Sequence, residues 1–220
     1  MAYPFGGPKR ERPFLVLWIL LLLATVTLRL RYVYTAGIVL LIPVAGYQVR
    51  LLVASKDGNT APPVLVDFVV LLRRGIGGLL ITACYLAVPG ILLVVTIYGA
   101  LYTDRVPDPA SVSSLVFYAG STTVLSVSLI GAYLLPIALV AYGRTGSLRS
   151  AFSGSALRAV ATKGAYFAGW TAAVGAFGFV AAVAASVADV ARIGPVVATA
   201  LLAYVSMVTT HVWGRALARV

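Results

Sequence analysis

LIPVAGYQVRLLVASKDGNTAPPVLVDFVVLLRRGIGG, residues 41–78, is the stretch that decides the architecture. It opens as the apolar end of one helix and leaves it through Arg50 and Lys56. Asp57-Gly58-Asn59 is a turn signal, and Pro62-Pro63 biases the residues before it away from helix. Val64 to Arg74 is too short to cross a bilayer. Asp67 and Arg74 lie two helical turns apart and share a face; the rest is valine, leucine and phenylalanine. That pattern predicts an amphipathic helix lying in the interface. Gly75, Gly77 and Gly78 then allow a sharp re-entry into the next apolar run.

The same alternation of apolar run and basic exit continues on both sides. The chain has 220 residues, 61% hydrophobic and 10% charged, with a mean hydropathy of +1.00. A soluble domain carries about 25% charged residues, so this surface could not be solvated by water. The expected fold is therefore all-α, a polytopic integral membrane helical bundle of about six transmembrane helices with two cytoplasmic interfacial amphipathic segments. The spans are placed at about 13–28, 32–53, 76–102, 115–142, 164–187 and 195–216, in a single membrane domain over 13–220 after a basic tail at 1–12. The tail plus the first run resembles a signal peptide. No small-residue cleavage site follows, and Arg29 and Arg31 stand in its place, so a retained first helix is expected. Pro43 should kink the second span, Pro136 sits near the inner end of the fourth, and Pro89-Gly90 should break the third.

The net charge of +11 is not a nucleic-acid signal, because the cations sit at helix ends. With six spans, Lys9, Arg10, Arg12, Arg50, Lys56, Arg73, Arg74, Arg144, Arg149, Arg158, Lys163, Arg215 and Arg219 fall on one side. Only Arg29, Arg31, Arg105 and Arg192 fall on the other. Basic loops stay inside, so the expected location is the cell membrane with both termini cytoplasmic. Of the inner cations, Arg50, Lys56, Arg73, Arg74, Arg144, Arg149, Arg158 and Lys163 are the candidates for anionic headgroup binding.

A second unit resembles the first. LLIPVAGYQVR ends the second span and LLPIALVAYGR ends the fourth. Each precedes a short basic segment and then a glycine-led helix, which suggests a parallel duplication. In the second copy Leu148, Phe152 and Ala159 share a helical face that Arg149 interrupts.

Few residues offer chemistry. No acid falls near a span midplane, which argues against a carboxylate-driven antiporter or a paired-aspartate protease. The single Cys84 and single His211 cannot build a metal site, and no cofactor is expected. His211 reads as an interfacial histidine near Trp213 and Arg215. Ser121, Thr122, Thr123, Ser126 and Ser128 could line a polar path, but such hydroxyls more often pack and bond within helices. Gly143-Arg144-Thr145-Gly146 reads as a helix-ending turn rather than a phosphate cradle. The cleanest signal is in the fifth span. Gly164, Ala168, Ala172 and Ala176 recur every fourth residue and form a candidate helix-packing face, within the chain or towards a partner.

GYQVRLLVAS, the polar turn, Pro62-Pro63, Asp67-Phe68, Leu72 and Gly75 resemble an archaeal family of uncharacterised multi-spanning membrane proteins, domain of unknown function 4013. LLPIALVAYGRTGSLRSAF followed by Gly164-Ala165-Tyr166 is similar to that family's second half. The resemblance runs from about Tyr32 to Arg219 and departs from the family in the polar turn, Lys56-Asp57-Gly58-Asn59, and in the first helix. It implies a cell-membrane location and brings no catalytic residues. The expected function is a membrane scaffold or accessory subunit that is not an enzyme. Its expected partners are anionic lipid and a second copy or another membrane protein, with no nucleic acid. The alternative is a small permease or channel for a neutral or lipid-like substrate.

Overall fold

The structure, a computed structural model, describes residues 11–30, 34–64, 68–102, 112–190 and 193–220. The tail to residue 10, Asp67, and the loop holding Asp104 and Asp108 lie outside the described residues. The elements are α1 (Glu11–Arg29), α2 (Tyr34–Lys56), α3 (Phe68–Tyr102), α4 (Val112–Thr145), a 3-10 turn (Leu148–Phe152), α5 (Gly154–Ala161), α6 (Gly164–Ala188) and α7 (Gly194–Ala218). Among the described residues there is no strand, and all helices but α5 are long and apolar enough to cross a membrane. Backbone groups in hydrocarbon must be bonded within their own segment, which is why such sequences fold as unbroken helices.

The helix ends follow local chemistry. α2 stops at Gly58, whose φ of 92° only glycine adopts without strain. Asn59 N–H donates to the Ala54 carbonyl at 3.0 Å and Gly58 N–H to that of Ser55 at 3.3 Å, closing a Schellman-type turn. α4 stops at Gly146, φ 70°, whose N–H donates to the Tyr142 carbonyl at 2.7 Å. Gly143–Gly146 is thus the helix-ending turn its sequence indicates. Ser153, in extended conformation, separates the 3-10 turn from α5. Leu148 and Phe152 are exposed there, and Ala159, also exposed, belongs to a separate helix, so the three do not lie on one continuous helix.

Two expectations from the sequence give way. Phe68–Arg74 is not a separate interfacial helix: it is the opening of α3, which runs on through Gly75, Gly77 and Gly78. Those glycines do not bend the chain; they admit neighbours. A Cβ on Gly75 would strike the carbonyl of Ile42, and one on Gly77 the ring of Tyr142. The break at Pro89-Gly90 is also missing, because α3 passes through Pro89 as helix, as α2 and α4 pass through Pro43 and Pro136.

The chain forms two compact units. The first holds the residues up to Leu79 together with Pro136–Val220; the second is Leu80–Leu135. The first unit has its core where α1, α2, α7 and the start of α3 meet, around Leu17, Val44, Tyr47, Leu51, Leu71, Ala203 and Met207. α7 is the central strut, packed by α1, α2 and α6. Gly214 lies against Ser55 and the Leu52 carbonyl, and Gly169 against Ala216. In the second unit Gly131 of α4 lies against the Tyr85 carbonyl of α3. Leucine, valine and phenylalanine cover much of the outside, as a lipid-solvated surface requires.

Candidate functional site

α2 and α7 run in the same direction and are joined along their C-terminal halves by side-chain hydrogen bonds. The Gln48 amide donates to Ser206 Oγ at 2.9 Å, and Thr210 Oγ1 donates to Gln48 Oε1 at 2.7 Å. One to two turns further on, Ser55 Oγ and His211 Nδ1 are 2.8 Å apart. Ser206 and Thr210 are four residues apart and share a face of α7, so one amide can bridge both. At the far end Arg215 donates to the Gly58 carbonyl at 3.3 Å, and Arg144 pairs with Asp57. The turn after α2 is therefore gripped by an arginine from α4 and one from α7.

Ser55 is 1% exposed, which leaves no approach for a substrate to its hydroxyl. Among the described residues three buried atoms have no hydrogen-bond partner: Arg50 Nη1, Thr209 Oγ1 and Trp213 Nε1. Among the described residues no group of three His, Cys, Asp or Glu side chains comes together to hold a metal.

Sequence reasoning missed Gln48, Ser206 and Thr210. The available signal was a lone amide within an apolar span and two hydroxyls at helical spacing in another, the usual residues of interhelical bonds in membranes. His211 is not merely interfacial: it is half-buried and bonded to α2.

The predicted candidates are distributed as follows. Gly164, Ala168, Ala172 and Ala176 are all exposed. α6 uses another face, with Tyr166, Gly169, Trp170 and Ala173, to pack within its own unit. The candidate headgroup cations lie at the ends of α2 and α4, the starts of α3 and α6, and in the 3-10 turn and α5 between them. Arg73, Arg144, Arg149, Arg158 and Lys163 are exposed, whereas Arg50, Lys56 and Arg74 are half-buried. Three of the α4 hydroxyls bond to their own helix. Thr122, Thr123 and Ser128 donate to the carbonyls of Tyr118, Ala119 and Val124 at 2.7–2.8 Å. Within the first unit an apolar cavity of about 220 Å³ opens between α1, α2 and α3, with Leu17, Pro43, Tyr47 and Leu71 in its wall.

A family model described as a protein of unknown function, DUF4013, matches residues 30–188. The match covers α2 to α6 and leaves out α1 and α7, so it ends short of the Arg219 limit expected from the sequence. No curated protein and no solved structure matches the chain.

Proposed function

The chain belongs to the DUF4013 family of proteins of unknown function, and on that premise we propose that it is a multi-pass membrane scaffold or accessory subunit without enzymatic activity. It lies in the cell membrane with both termini cytoplasmic, and it associates through the small-residue face of α6. The observation that carries this reading is the two-sidedness of α6. One face is buried against α7, while Gly164, Ala168, Ala172 and Ala176 remain uncovered on another. Small residues at that spacing let a second helix approach closely, and van der Waals packing drives association in lipid. The side-chain bonds between α2 and α7 support the same reading, since they stiffen a platform.

The test is association of Ala168→Leu and Ala172→Leu chains, by crosslinking in membranes and by size in detergent. Both substitutions should lower the associated fraction, with a partner or with a second copy. Association equal to the unaltered chain in both settings would overturn the reading. The permease alternative has less support, because Thr122, Thr123 and Ser126 are exposed and the hydroxyls of Thr122 and Thr123 donate to their own backbone.

A further inference from the structure

We propose that the cavity between α1, α2 and the start of α3 holds one acyl chain of an anionic phospholipid, with the lipid phosphate against Arg50 and Arg74. This rests on the membrane setting proposed above and not on the α6 interface. Two independent observations meet here. The first is the cavity, about 220 Å³ and walled by apolar groups from three helices. It exceeds the roughly 150 Å³ of dry apolar space that is known to take up benzene. Hydrocarbon from the surrounding bilayer is the natural occupant.

The second observation is cationic. Tyr47 and Leu71 stand in the cavity wall, and Arg50 and Arg74 follow each by three residues, on the same faces of α2 and α3. The two guanidinium groups lie within electrostatic range of each other. Among the described residues neither is in an ion pair; the pair present joins Arg144 to Asp57. Arg50 Nη1, a buried atom, has no hydrogen-bond partner among the described residues. Two like charges held together, one with an orphaned donor, are stabilised by an anion that accepts from both. A phosphate does so in a fork geometry that suits arginine. A phospholipid supplies the phosphate and the chain on one molecule.

The test uses the full chain in vesicles of phosphatidylcholine with a minor fraction of phosphatidylglycerol. After gentle extraction, lipid bound per chain is read by native mass spectrometry. The expected result is one phosphatidylglycerol retained in preference to phosphatidylcholine. Arg50→Gln and Arg74→Gln should each lower that retention about fivefold, the effect of one cation near a headgroup. Val16→Trp, which fills the cavity from α1, should lower it with every charge in place. Arg219→Gln, an exposed arginine at the end of α7 and outside the candidate headgroup cations, should leave it unchanged. Excess inorganic phosphate should not displace the lipid, because a free anion leaves the cavity empty. Equal loss in Arg219→Gln, equal retention of phosphatidylcholine, or displacement by phosphate would each overturn the proposal. None of these outcomes bears on α6 association.

Discussion

Gly46 and Gly75 meet at the crossing of α2 and α3, each beneath a backbone carbonyl of the other helix, Leu71 for Gly46 and Ile42 for Gly75. Neither position has room for a methyl group, and backbone cannot rotate away as a side chain can. Gly46→Ala and Gly75→Ala should each cost about 1–3 kcal/mol, the usual penalty of overpacking. Gly164→Ala, with open space around it, should be neutral or slightly stabilising. Thermal unfolding in detergent measures all three; equal melting temperatures would refute the close crossing.

Gln48 bridges Ser206 and Thr210, so Gln48→Leu removes two bonds between α2 and α7 at once. Interhelical hydrogen bonds in membranes average about 0.6 kcal/mol, which gives an expected loss of roughly 1 kcal/mol. A double-mutant cycle with Ser206→Ala should show coupling close to one bond. Strict additivity would place the amide elsewhere.

The turn after α2 separates two kinds of stabilisation. Asp57→Asn breaks a solvent-exposed ion pair and should cost less than about 1 kcal/mol, an effect that salt would mask. Gly58→Ala forces a left-handed conformation on a residue with a Cβ and should cost about 1–2 kcal/mol, independent of salt. Unfolding at low and high ionic strength distinguishes the two.

Membrane orientation is open to direct labelling. In a Cys84→Ser background, Ser147→Cys should react with an impermeant thiol reagent only from the cytoplasmic side. Val190→Cys should react only from the outside. Both positions are exposed. The reversed pattern would invert the orientation proposed from the arginine and lysine distribution.

The helices were legible in the sequence because hydropathy over about 20 residues is a long signal, and the ends of α6 and α7 fall within one or two residues of expectation. The opening of α3 was not legible. Asp67 and Arg74 on one face look like a helix meant for the interface, and three glycines look like a bend. Only the partners of those glycines, Ile42 and Tyr142, reveal that they serve contact instead. The small-residue spacing on α6 was legible as a pattern, but whether it faced inward or outward was not, since α6 is small on several sides. Gln48 escaped because a single amide carries no periodicity, and its partners lie about 160 positions away.

That distance has a consequence for how the protein is made. Gln48 is synthesised 158 residues before Ser206, its bonding partner. In a bilayer that takes up helices in order of synthesis, α2 would hold an unmatched amide until α7 arrives. A chain halted before α7 would present that amide, together with Ser55, to its neighbours in the membrane. Quality control that senses polar groups in lipid could therefore tell an unfinished copy from a finished one by α2 alone.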